Sequence, residues 1–188
     1  MSKILVDTID TRSGTSTLTL GSSNLTTLAK ASGVNANFAG VKMADLWRQN
    51  ADTAISAATE TVLTAWEQAD TRGFGVIGSA MTQSSGIFTF PETGIYLLIF
   101  NCQIHSPSQG ATYAGSIIQA TTDNSSYSNA AESYNSIYHS NGYGIATAYH
   151  QFDVTSTSTH KMKFAASCEF ASDVKGSTSL NKTCVQFI

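Results

Sequence analysis

Ile95-Tyr-Leu-Leu-Ile-Phe100 is apolar at every position, and that limits what the chain can become. A strand on a sheet with one wet face alternates apolar and polar residues, because successive side chains point to opposite faces. This run does not alternate, so both of its faces must be covered. In a chain of 188 residues, one face can pack inside a sandwich, and the simplest cover for the other is a second subunit. Just upstream, Phe88 and Phe90 flank Thr89, and Pro91 stops the run because it has no N–H for a ladder. Glu92-Thr-Gly94 then turns the chain into the apolar strand.

The punctuation after Phe74 is that of an all-β protein. Turn signals fall at Gly73, Gly75, Gly78, Ser84-Ser-Gly86, Ser106 to Gly110, Asp123 to Ser126, Ser140-Asn-Gly142 and Ser172-Asp173. Between them lie strand-like runs at Gly86–Phe90, Ile95–Ile104, Tyr113–Thr121, Ala131–His139, Ile145–Val154, His160–Phe170 and Thr183–Ile188. Short strands at this spacing build a sandwich or barrel. Asp52 to Gln68 is Ala-rich enough for a helix, but Thr61-Val-Leu-Thr-Ala-Trp66 also fits a strand, and strands are expected there. Residues 1–39 differ. Two short β-like runs, Lys3–Asp10 and Thr15–Leu20, precede a small, polar stretch to Gly40, and a hairpin of that size is not stable alone. The expected division is an N-terminal anchoring arm and linker at 1–39 and one β-domain at 40–188.

Composition narrows the function classes. Charged residues are 12% of the chain against a usual share of ~25%. The net charge of −3 gives no electrostatic grip on nucleic acid. No window is long and apolar enough to span a membrane, and Met1-Ser-Lys-Ile-Leu-Val6 is too short an apolar run for a signal peptide. Cys102, Cys168 and Cys184 read as buried free thiols, with a Cys168–Cys184 disulfide as the alternative if their strands are neighbours. His105, His139, His150 and His160 have no pairing at metal-ligand spacing, and no nucleophile, phosphate-loop or dinucleotide motif occurs. Glu132, Asp153 and Glu169 are scarce carboxylates rather than a catalytic set, and Asp153 reads as a turn cap. No catalytic, cofactor or metal site is therefore expected. Were a cation bound, the acidic loop at Asp123 would be the place for it. Tyr113, Tyr127, Tyr134, Tyr138, Tyr143 and Tyr149 crowd one span among Asn and Ser, a composition shared by strand packing and by adaptable binding loops. Tyr127, Tyr143 and Asn141 lie beside turns and are the candidate recognition residues.

The spacing Phe88, Gly94, Tyr96, Leu98, Phe100, with the closing strand Thr183-Cys-Val-Gln-Phe-Ile188, resembles the core signature of C1q/TNF-like jelly rolls over residues 41–188. Leu98 stands where that family usually has Phe. More narrowly, Asp70-Thr-Arg-Gly-Phe-Gly75, Met81 to Pro91 and Thr121 to Tyr127 are similar to C1q-like structural proteins of marine tailed bacteriophages. The resemblance implies a homotrimeric jelly-roll β-sandwich. Tyr96, Leu98 and Phe100 would then approach the three-fold axis with Tyr149 and Phe187, while Ile95, Leu97 and Ile99 fill the sandwich. It also implies a non-enzymatic virion protein. That protein would be a fibre-type appendage anchored to other virion proteins by its arm, with an outward jelly roll used for host attachment, or a capsid decoration protein at three-fold positions. A module that binds host-surface glycan and a TNF-type signalling ligand are the other readings.

Overall fold

The computed structural model describes residues 40–188, and the expectations for the arm at 1–39 lie outside those residues. The described chain is all-β, with no helix. Its strands are β1 Asp45–Gln49, β2 Thr53–Ile55, β3 Thr61–Val62, β4 Trp66–Gln68, β5 Thr82–Ser84, β6 Ile87–Thr89, β7 Gly94–Ser106, β8 Ala111–Thr121, β9 Ser128–Ile137, β10 Gly142–Val154, β11 Lys161–Cys168, β12 Ser172–Val174 and β13 Cys184–Phe187. Two antiparallel sheets form from them. In the first, β7 pairs with β10 along its whole length on one edge and with β12 and β13 in succession on the other, and β1 and β4 continue beyond β13. The second runs β5-β6-β11-β8-β9, with β3 also on β11. The sheets pack face to face as a jelly roll.

The strands expected from alternation are present, including β3 and β4 in the Ala-rich segment that also had helical propensity. One turn signal was misread: Ser172 and Asp173 lie inside β12, opposite Ile55 and Ala54. The Ser84-Ser-Gly86 signal does make a tight hairpin. Ser85 and Gly86 sit at φ of 51° and 81° between the paired Ser84 and Ile87, and positive φ at both central residues is the turn that matches strand twist. Gly86 is also required by space, since a Cβ there would meet the Leu63 carbonyl oxygen at 2.5 Å.

The core between the sheets is aromatic. Phe88 lies 5.5 Å from Trp66, 5.2 Å from Phe164 and 5.3 Å from Phe187 between ring centroids, and Phe100 lies 5.1 Å from Phe164. Such tilted and edge-to-face pairs add about 0.5–1.5 kcal/mol each beyond area burial. The three cysteines are free thiols. Cys168 and Cys184 lie in strands of different sheets, so the disulfide alternative does not apply.

Candidate functional site

Strand β7 shows which of its two apolar sets the sandwich takes. Tyr96, Leu98, Phe100, Cys102 and Ile104 are buried in the core, Phe100 completely, and Phe187 and Val185 from β13 join them. This corrects the assignment of Tyr96, Leu98, Phe100 and Phe187 to a subunit interface. They are already covered by their own chain, and the Tyr96 hydroxyl, within 2.9 Å of the Glu92 carbonyl oxygen, donates to it. The outward set is Ile95, Leu97 and Ile99. Ile95 is 65% exposed and Leu97 is also open. The expected faces are exchanged, because a period of two leaves only a one-residue shift between them.

The neighbouring strands extend the outward set into a face. Tyr149, 62% exposed, sits opposite Ile99, and Gln151 and Asp153 sit opposite Leu97 and Ile95. Asp153 is thus a strand residue at the end of β10 rather than a turn cap. Ile188 exchanges both backbone hydrogen bonds with Leu97, so its side chain shares this face. Higher up the face is polar: the Thr147 hydroxyl donates to Asn101 Oδ1, and Cys184 lies opposite Asn101. At the top, Ile145 lies opposite Gln103, and Tyr143 stacks on His105 with centroids 4.6 Å apart. A contiguous exposed patch of Ile, Leu and Tyr on a folded domain is the kind of surface that makes interactions.

The side of this face is closed by Arg48, a fully buried cation. Its Nε donates to Glu67 at 2.7 Å, its Nη1 to Thr71 at 2.9 Å, and its Nη2 to Asp70 at 2.6 Å and to the Thr178 carbonyl. One guanidinium therefore ties the 70–74 and 177–181 loops to β1.

The sequence-predicted recognition residues do not form one site. Tyr143 belongs to the first sheet and Asn141 to the turn just before it, where His105 Nε2 donates to Asn141 Oδ1 at 2.8 Å. Tyr127 adjoins the second sheet, with Lys163 Nζ 3.7 Å from its ring centroid. Burial pushes its hydroxyl up in pKa. The carboxylates are equally scattered. Glu169 accepts from the Thr112 backbone N–H and hydroxyl, and Glu132 accepts from Asn129 and Tyr134. The other histidines form no cluster with His105, with His139 beside Tyr138, and His150 and His160 each near Phe152.

Asp123 Oδ1 collects three donors instead of facing an open cavity: the Thr121 hydroxyl at 2.7 Å and the Ser125 and Ser126 amides at 2.8 Å each. These donors hold its carboxyl down at about 2. A depressed carboxyl pKa stabilises the fold above the unfolded value near 4, and that contribution disappears as pH falls through the folded value. The Asp123 side-chain carbonyl should therefore titrate in NMR with a midpoint near 2. A midpoint near 4 would show that the loop does not hold.

No protein-family model matches the chain, and no curated protein matches it. Several solved structures resemble it in fold. The crystal structure of murine APRIL at pH 5.0 is similar at TM-score 0.53 and 17% identity, covering 77% of this chain and 96% of that one. Eiger TNF from S. frugiperda is similar at TM-score 0.57 and 10% identity, covering 77% of this chain and 90% of that one. PRD1 vertex protein P5 is more distantly similar, at TM-score 0.44 and 13% identity, covering 79% of this chain and 95% of that one. At these identities the likeness establishes a TNF-like jelly-roll fold and nothing further.

Proposed function

We propose that this protein is a non-enzymatic structural subunit of a tailed-bacteriophage virion, a homotrimer whose arm at 1–39 attaches it to other virion proteins. Its jelly roll would face outward as a fibre-type appendage. The trimer reading is carried by the outward face of β7 and β10, where Ile95, Leu97, Ile99, Tyr149 and Ile188 lie together beyond the needs of the sandwich. The sequence resemblance to C1q/TNF-like jelly rolls supports three-fold closure, and the stretches shared with phage C1q-like proteins support the virion location.

Light scattering at micromolar concentration tests assembly, and a mass of one chain would end this reading. Apolar burial is worth ~25 cal/mol per Å², so a buried interface couples folding to association. The melting temperature should then rise with protein concentration and change little with salt or EDTA. A concentration-independent, reversible melt would count against the coupling. Electron microscopy of intact particles that fails to find the chain would remove the virion assignment and leave the trimer untouched.

A further inference from the structure

The second sheet carries an aromatic platform that the trimer reading does not use. Tyr134 of β9 lies across Gly115 of β8, its register partner. A Cβ on Gly115 would come within 2.3 Å of the Tyr134 ring, so only glycine lets the ring pack this close to the backbone of β8. The ring packs against β8, and the residue is still 51% exposed. Tyr113 stands at 87° to it with centroids 5.9 Å apart. Together with Ser167 the two rings line an open cleft of about 380 Å³, a volume within the small-molecule range.

Beside the platform is a hydrogen-bonded rim in which every side-chain amide donor is already used. Gln119 Nε2 donates to Glu60 and Asn129, Asn129 Nδ2 donates to Glu60 at 3.0 Å and Glu132 at 2.8 Å, and the Tyr134 hydroxyl donates to Glu132 at 3.0 Å. Each carboxylate thus accepts two bonds where it has about four acceptor positions. The rim is pre-oriented, and what it has to spare is acceptors. The Tyr134 phenol is pushed up to about 12, first by burial and then by Glu132, so it stays a donor and keeps the ring anchored.

We propose that this platform is a saccharide-binding site, in which Tyr134 stacks on the C–H face of a neutral pyranose and Glu132 and Glu60 accept from its hydroxyls. A pyranose has the two properties the site selects: a flat apolar face, and hydroxyl donors around its rim. A compact organic cation fits less well. The two rings meet near a right angle, so they do not enclose a point from several sides, and Lys163, opposite Gln119 in the register, adds positive charge beside the carboxylates. The site lies on the sheet opposite the β7–β10 face, so it does not depend on the oligomeric state.

The test is saturation-transfer NMR on the full chain with the methyl glycosides of glucose, galactose and N-acetylglucosamine, and with tetramethylammonium as a cation control. At least one glycoside should bind with a millimolar Kd, with saturation concentrated on its ring C–H protons. Tyr134→Ala should weaken it by about tenfold, because it removes the stacking surface and the anchor of the Glu132 rim together. Tyr134→Phe should keep more of the binding than Tyr134→Ala. Gly115→Val should lower binding with Tyr134 intact, by lifting the ring off the sheet. Circular dichroism and light scattering on the same samples separate a binding loss from unfolding or disassembly. No saturation by any glycoside, binding unchanged in Tyr134→Ala, or binding of tetramethylammonium alone would overturn the proposal.

Discussion

Leu97→Asp should dissociate the proposed trimer and leave the jelly roll folded. Leu97 points away from the sandwich, beside Ile188 and opposite Gln151, so in a single chain the new carboxylate meets water and costs little. In the assembly three carboxylates would be buried without partners. An unpaired buried charge costs about 3–5 kcal/mol, so three oppose association by ~9 kcal/mol or more, on the order of a millionfold in the assembly constant. Phe100→Asp should behave in the opposite way and unfold the chain, because Phe100 is wholly inside the aromatic core. Size-exclusion chromatography with light scattering and far-ultraviolet circular dichroism separates the two results. Leu97→Asp that stays trimeric would show that this face is not the interface. Phe100→Asp that stays folded but turns monomeric would restore the face assignment made from the sequence.

That assignment failed at a place where the sequence does hold the answer. Within Ile95–Phe100 the two alternating sets are equally apolar, so the run alone cannot rank them. Carried further along β7, the odd set becomes Asn101, Gln103 and His105, while the even set continues as Cys102 and Ile104. Strand β10 repeats the pattern with one interruption: Ala146, Ala148, Phe152 and Val154 are buried, half-buried His150 shares their face, and Thr147, Tyr149, Gln151 and Asp153 lie on the other. A core face stays predominantly apolar over the whole strand, whereas an interface needs to be apolar only where the partner sits. Thirteen-residue strands therefore contain a signal that a six-residue window loses.

The number and order of the long strands were legible because turn chemistry and period-two patterning are local. The Tyr134 platform was not. It needs Gly115 across a strand pair, Tyr113 two residues further along β8, and a rim drawn from Glu60, Gln119, Asn129 and Glu132, residues that only the register brings together. In the sequence Tyr134 is one of six crowded tyrosines, and those beside turns are the stronger recognition candidates because loops more often carry recognition.

Arg48→Met should destabilise the jelly roll by about 3 kcal/mol, the second large effect the structure implies. Arg48 stands on the outward side of β1, where Leu46 and Arg48 alternate with the core-facing Trp47, and its sequence context gives no hint of burial. Strand β4 brings Glu67, and loops 70–74 and 177–181 bring Asp70, Thr71 and the Thr178 carbonyl, to one guanidinium. Methionine fills much of the same volume but leaves Glu67, which is 27% exposed, and the Thr178 carbonyl without their donor. Asp70 is 74% exposed, so its own pairing is screened and Asp70→Asn should cost no more than about 1 kcal/mol. Urea unfolding in the Leu97→Asp background measures both without a contribution from association. A loss for Arg48→Met no larger than that for Asp70→Asn would mean that the buried cation does not hold the two loops. A loss near 3 kcal/mol would identify Arg48 as the fastener that keeps those loops folded onto the side of the proposed interface.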